Sequence, residues 1–275
     1  CSNPNLQQIP ARNPEMSAKI RGLFLPEEGE QWASMDFDQQ EPRILVHFAS
    51  LTHKGLTGAD DFVKAYRTDP KTDFHQKVAD IAKIPRKQAK TINLGIMYGM
   101  GQTKLAEQLD VAPDEAKRLM RTYHDEVPFV KELMDAVQRK VSHRDKGGAV
   151  RSLLGRKCRF DLWEPNLFVS ARALPQEEAH LEYGDNIKRA YTYKALNRLI
   201  QSSAADQTKE AMARINEETG KTPLVQVHDE LAFSVADEAE ARNLCRIMEE
   251  AVKLEVPSPS EISLGENWGS LTSVD

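Results

Sequence analysis

Cysteine is scarce in this 275-residue chain: Cys1, Cys158 and Cys245 stand far apart, and none forms a C-x-x-C pair. That spacing argues against a disulfide framework and offers no zinc site, so reduced thiols are the default. No apolar run approaches the ~20 residues a membrane-spanning helix needs. No signal-peptide pattern precedes the polar start CSNPNLQQIP. A soluble, cytoplasmic protein with no membrane partner is the expectation. Internal repeats and low-complexity stretches are missing as well, which excludes repeat arrays and biased tails. The chain also has no initiator methionine and is expected to be a fragment or a processed product, cut at a cloning or sequencing boundary or at a splice junction.

What is present is ordinary in bulk and uneven in detail. Hydrophobic residues make up 40% and charged residues 29%, as in common globular proteins, and the length allows one large domain or two interleaved ones. A net charge of -5 weighs against a polyanionic partner, because phosphate binding rests on basic surface. The sum hides stripes. RKQAK, RSLLGRKCR and the set Lys188, Arg189, Lys194 and Arg198 are basic, while DEAEARNLCRIMEE is acidic. A local anion-binding face survives the total.

QWASMDF (31–37) is a short, mainly apolar run of strand type with Asp36 at its end. In EPRILVHFA, Pro42 suits a helix start. From about 57 to 144 the pattern is helical: DDFVKAY, DFHQKVADIA, PRKQAKTINLGIMYG, TKLAEQL, PDEAKRLMRTYHDEV and PFVKELMDAVQRKV, each introduced by proline, glycine or a capping acid. GAVRSLLGRKCRFDLW reads as a hairpin turning at Gly155 and Arg156. A second helical block is expected from about 171 to 218, stopped by Gly220. TPLVQVHDELAFSV then gives two β-rich runs around a His-Asp-Glu turn, EAEARNLCRIMEEAVKLE an amphipathic helix, and VPSPSEISLGENWG one edge strand. Strands near both chain ends with helices between them predict an α+β fold with a long helical insertion.

Two constellations carry chemistry. Arg86, Lys90, Leu94 and Tyr98 recur every four residues and share one helix face. Pro85 suits the first helical position, so the cations crowd the helix N-terminus, where the macrodipole is already positive and like charges at i,i+4 cost roughly 0.2–0.5 kcal/mol per pair. An anion would relieve them; a solvated basic helix is the plain alternative. Gly95 costs about 1 kcal/mol against alanine in a helix interior, and with Gly99 it fits close approach by another backbone or a ligand. Asp36 and Asp229, each beside an apolar strand, meet at one sheet edge if those strands pair. Close carboxylates repel unless cations join them, and Mg²⁺ suits one or two carboxylates plus phosphate oxygens. Two such ions, about 3.5–4 Å apart, serve in-line phosphoryl displacement. Aspartate is also a common turn residue.

MDFDQQEPR, RKQAKTINLGIMYG and QVHDE, in this order and spacing, resemble the three signature motifs of the A-family DNA polymerases. PNLQQIPAR resembles the family's primer-side segment, DFHQKVA its finger helix with a phosphate-binding histidine, and LNRLIQSSAAD its template-side helix. The resemblance spans nearly the whole chain. It implies a right-hand polymerase: an antiparallel palm sheet from 1–50 and 201–275, helical fingers from 51–200, and no thumb or exonuclease domain. It further implies addition of deoxynucleotides to a primer 3′-hydroxyl with release of pyrophosphate, two Mg²⁺ ions as cofactors, and primer–template DNA and dNTPs as partners. An upstream polymerase segment or a processivity factor would be a further partner, and the host cytoplasm the location of a phage enzyme.

Carried over by position, Asp36 and Asp229 match the metal-binding aspartates, with Glu230 as a supporting acid. Arg86, Lys90 and His75 match triphosphate contacts, Lys90 being nearest the reacting phosphate and able to protonate the leaving pyrophosphate. Glu41 matches the residue that fills the space beside C2′ and excludes a 2′-hydroxyl, with Gln39 and Arg43 as its motif neighbours. Tyr98 and Gly99 match the end of the finger helix, although core packing is an open alternative for Tyr98. Asn197 and Gln201 match minor-groove and template contacts, His228 flanks the primer terminus, and Asn5 and Arg12 fall in the primer-side segment.

The chain also departs from the pattern. Leu94 replaces an aromatic ring that packs on the nucleotide, and base–aromatic stacking is worth about 1–3 kcal/mol. Gln40, Pro42 and Ser202 replace the usual isoleucine, leucine and glycine, a phage-like set. No D-x-E motif in an apolar strand supplies 3′–5′ proofreading. Two other readings stay open: an inactive nucleic-acid-binding half of a split polymerase that needs a thumb-bearing upstream partner, and a single-chain RNA polymerase, for which Glu41 is the wrong residue.

Overall fold

The computed structural model describes residues 8–10, 13–51, 55–143, 147–167 and 171–274. The chain divides into two compact units, Cys1–Arg43 with Ala204–Asp275, and Ile44–Ser203.

The first unit is built on a five-stranded antiparallel sheet. β1 (Gln31–Phe37) lies at its centre between β8 (Glu230–Val235) and β9 (Ser260–Gly265), with β7 (Val225–Val227) and β10 (Leu271–Val274) outside them. Alternate residues of a strand face opposite ways. Ala33, Met35 and Phe37 therefore pack with Leu231, Phe233, Val235 and Ile262 and with Leu244 and Met248 of α11 (Glu238–Glu250) in one apolar core. Trp32, Ser34 and Asp36 face the other side. There Trp32 stacks on Trp268 at 5.9 Å, Phe24 meets Trp268 edge-on at 5.3 Å, and Arg21 lies 4.2 Å over the same ring. Arg21 ends α1 (Pro14–Arg21), a helix capped by Asn13 that the sequence pattern does not announce.

The tail corrects the expectation of one edge strand. It supplies two strands, and β9 is interior, paired along β1. SEISLG carries apolar residues on one face only, which is how an edge strand reads in sequence, yet it is also how a half-solvated central strand reads.

α2 (Gln40–Ser50) follows β1 directly. The second unit then runs through α3 (Ala59–Thr68), α4 (Phe74–Ala82), α5 (Arg86–Met97), α6 (Gln102–Leu109), α7 (Pro113–Glu126) and α8 (Pro128–Ser142), as the helical pattern predicts. Asp73 caps α4 by accepting from the Gln76 N–H, and prolines occupy the first turns of α7 and α8, where no N–H is needed. Phe62 anchors the helical core against Phe74 at 5.1 Å and Phe129 at 5.2 Å.

β2 (Ala149–Arg151) and β3 (Lys157–Arg159) form the expected hairpin, with Gly155 at φ 81° in its turn. The expected helical block after it is interrupted. β4 (Leu162–Pro165) pairs with β5 (Leu174–Pro175) and β6 (Ile187–Arg189), and Trp163, Leu174 and Ile187 close a small core with Ala179 of α9 (Gln176–Tyr183). Strands of two to four residues, two of them ending at proline, are too short to show a period. Only after a 3₁₀ turn at 192–194 does α10 (Ala195–Thr219) begin, and it stops at Gly220, φ 75°.

Candidate active site

Strand register brings the acids of the first unit together. Asp36 stands opposite Glu230 on β8 and opposite Glu261 on β9, and directly opposed residues share a sheet face with Cβ atoms about 4.5–5.5 Å apart. Asp229 precedes Glu230 in the turn between β7 and β8, near enough for its charge to act on the Asp36 carboxyl. Partial burial first, then Asp229, Glu230, Glu261 and Asp38, push the Asp36 pKa up to about 7. Partial burial likewise raises Asp229, with Glu230 adding to it, against the opposing pull of its own backbone N–H and of His228. The Asp36 side chain still reaches solvent.

Glu230 is held differently. Its Oε1 accepts from Ser34 Oγ at 2.7 Å and from Trp268 Nε1 at 2.8 Å, and Ser34 Oγ accepts in turn from Trp32 Nε1 at 3.1 Å. One oxygen of Glu230 is thus committed to the sheet. Glu261, Ser34 and Trp268 are the neighbours that sequence reasoning misses; placing SEISLG beside β1 would have found Glu261.

Two non-glycine residues with left-handed backbone flank the acids: Gln39 at φ 49° and His228 at φ 53°. Such conformations are strained and cluster at functional sites. Gln39 Nε2 donates to the Asp38 carboxylate at 3.2 and 3.3 Å, and the exposed His228 accepts at its carbonyl from Gln226. Glu41 lies half-buried in the first turn of α2. Arg43, by contrast, is fully buried: it donates to the carbonyls of Asp38 at 2.7 Å and Pro257 at 2.9 Å and pairs with the Asp38 carboxylate. Its work is to brace the turn after β1.

Among the described residues, no group of three or more His, Cys, Asp or Glu side chains forms a metal cage by itself. The donor set instead fits a divalent ion that draws the rest of its shell from phosphate oxygens and water.

The second unit carries the cationic stripe. On α5, Arg86 and Lys90 are exposed and Leu94 is half-buried, while Tyr98, at the helix C-cap, is 44% exposed, which excludes core packing. Arg86 Nε donates to Asp73 Oδ2 at 2.7 Å. Burial alone would raise Asp73, but bonds from the Gln76 N–H and from Arg86 outweigh it and hold its pKa below the usual value. His75, two residues on, is buried, and burial first, then Lys90 and Arg86, drive its pKa down to about 4 against the opposite pull of Asp73. The glycines answer to the chain itself. A Cβ at Gly95 would come within 2.9 Å of Met100 Sδ, and one at Gly99, φ 73°, within 3.2 Å of the Tyr193 carbonyl. Asn197 and Gln201 lie one turn apart on α10, half-buried and exposed respectively. Asn5 and Arg12 fall outside the described residues.

The family model for DNA polymerase family A matches residues 1–270, and the chain belongs to that family. Its relatives include the DNA-directed DNA polymerase of Pseudomonas phage M6, 37% identical over 97% of this chain and 42% of that one. The thermostable DNA polymerase I of Thermus aquaticus is 30% identical over 97% of this chain and 30% of its own length. Among solved structures, the POL domain of Pol1 from M. smegmatis, in complex with DNA primer-template and dNTP, is similar with a TM-score of 0.75 and 29% identity, covering 98% of this chain and 45% of that one. The chain spans less than half the length of each of these relatives.

Proposed function

We propose that this chain carries the nucleotidyl-transfer centre of a template-directed DNA polymerase, which adds deoxynucleotides to a primer 3′-hydroxyl and releases pyrophosphate. One observation carries the reading: strand register sets Asp36 opposite Glu230, the residue that follows Asp229, and Asp36 is pushed up to about 7 by burial and then by Asp229 and its other acidic neighbours. Such a pair is unfavourable as two bare anions and favourable around divalent cations. Asp36 and Asp229 would hold two Mg²⁺ ions, with Glu230 in support. When bound, Mg²⁺ supplies charge neutralisation at the reacting phosphate and activation of the attacking hydroxyl.

The chain's own residues do the rest. Arg86, Lys90 and His75 bind the triphosphate, and Lys90 gives a proton to the departing pyrophosphate. Glu41 excludes a 2′-hydroxyl and so selects dNTPs, while Gln39, Leu94 and Tyr98 contact the nucleotide. Asn197, Gln201 and His228, with Asn5 and Arg12, contact primer–template DNA. The phage relative is named a DNA-directed DNA polymerase, and the Pol1 domain binds primer-template and dNTP, which supports these partners. The test is extension of a primed template with dNTPs and Mg²⁺. Asp229→Asn should abolish it; equal extension by that variant would refute the assignment.

A second reading draws on length, since the chain spans 42% of the phage relative. Here it is the nucleic-acid-binding half of a split polymerase, inactive until an upstream thumb-bearing segment joins it. That reading gives no extension by the chain alone and recovery when the segment is added.

A further inference from the structure

His75 has one ring nitrogen already spoken for. The residue is only 6% exposed, and its ring Nδ1 lies 2.8 Å from Nδ2 of Asn93 on α5. An amide NH₂ can donate and cannot accept. With the Asn93 amide turned so that Nδ2 faces the ring, Nδ1 accepts and bears no proton, and a neutral ring carries its single N–H at Nε2. The charged groups acting on the ring are Asp73, Lys90 and Arg86. Asp73 is engaged twice, as the cap of α4 and as the partner of Arg86. Burial and the two cations hold the ring neutral, so near pH 7 its tautomer decides what it offers a ligand. With Nε2–H it offers a donor, which an anion accepts; with Nδ1–H it would offer a lone pair, which repels a phosphate oxygen.

Asn93 itself supports a dedicated role. It is fully buried, and its Oδ1 has no hydrogen-bond partner among the described residues. A buried acceptor left unpaired is destabilising, and an aliphatic side chain of similar size would remove that penalty. What asparagine alone supplies at this position is the N–H directed to His75.

We propose that Asn93 is a positioning residue that fixes His75 as its Nε2–H tautomer, making the imidazole a neutral hydrogen-bond donor to a phosphate oxygen of a bound nucleoside triphosphate. The donor half rests on the reading of His75 as a phosphate contact; the tautomer half stands on the geometry of the two side chains.

Selective ¹⁵N labelling of histidine in the full chain reads the tautomer directly from the two ring-nitrogen shifts, with His75→Ala assigning the resonance. Wild-type His75 is expected as a single Nε2–H species at neutral pH. Asn93→Leu should mix the tautomers and weaken dTTP binding about tenfold, the scale of one hydrogen bond to a charged group. Asn93→Asp, which can only accept, should place a proton on Nδ1. An Nδ1–H ring in the wild type, or a leucine variant with an unchanged tautomer, overturns the proposal. An Nε2–H ring in a protein whose dTTP affinity survives His75→Ala overturns the donor half and the phosphate reading with it, and leaves the tautomer assignment standing.

Discussion

Asp36 faces Glu230 across one strand pair and Glu261 across the other, so three carboxylates stand in a row on adjacent strands of one sheet face. Like charges directly opposed in a sheet are destabilising. The sheet tolerates them because it is anchored elsewhere, by the apolar core on its other face and by the Trp32–Trp268 stack.

That strain predicts a pH-dependent stability. Folded Asp36 titrates near 7, against 3.8 for an ordinary aspartate. The folded value is the raised one, so the stabilising contribution of the protonated carboxyl is full below 3.8 and is lost as pH climbs through 7. Asp36→Asn, neutral throughout, should therefore raise stability at pH 8 and change it little at pH 4. Because the side chain reaches solvent, screening reduces the gain to about 1 kcal/mol, or roughly 2–4 °C in Tm. Melting curves at the two pH values decide it; identical melting at pH 8 contradicts the argument.

Divalent ions should act on the same carboxylates. At pH 8, Mg²⁺ at a hundred times its Kd should stabilise the wild-type chain by about 2.7 kcal/mol. A chelator should reverse the shift, and both Asp36→Asn and Asp229→Asn should abolish it. A shift that persists in both variants places the ion elsewhere.

Asp73 serves two masters, a helix cap and the Arg86 guanidinium. Asparagine caps about as well as aspartate, so Asp73→Asn loses only a partly exposed ion pair, worth about 0–1 kcal/mol. Asp73→Ala loses the cap as well and should cost about 1 kcal/mol more. Urea titrations of the two variants separate these contributions, and equal midpoints would remove the cap from the account.

Leu94 gives the helix stripe an apolar surface without a flat π face. Leu94→Phe should lower the Kd for an incoming nucleotide by about tenfold, taking about 1–3 kcal/mol for base–aromatic stacking as the guide. Single-turnover incorporation against dNTP concentration measures it. An unchanged Kd means that position 94 does not meet the nucleotide.

Much of this was legible in the sequence, and the reasons differ by element. Asp36 and Asp229 could be paired because each sits beside an apolar run bounded by turn residues, and strand alternation leaves little choice of face. The stripe from Arg86 to Tyr98 was legible because a helix keeps its period for twelve residues. Glu261 was missed because SEISLG has the look of a strand on the rim, and nothing local in it shows a neighbour on each side. The strands β5 and β6, which interrupt the expected helical block on either side of α9, were missed because strands shorter than one full alternation leave no periodic trace. The hold of Trp268 and Ser34 on Glu230, and of Asn93 on His75, depends on contacts between segments distant in sequence, and no spacing rule encodes them.

The placement of β1 also sets an order of events during synthesis. This strand is complete by Phe37, but the strands that flank it start at Glu230 and Ser260. Closing so long a loop is slow, and a nascent β1 meets neither flanking strand until the chain has been made past Glu230. The helices of residues 44–203 can meanwhile assemble from local contacts. A truncation just before Ser260 would strand β1 with one bare side, and a chain stalled there would emerge as an aggregation-prone edge instead of a finished sheet.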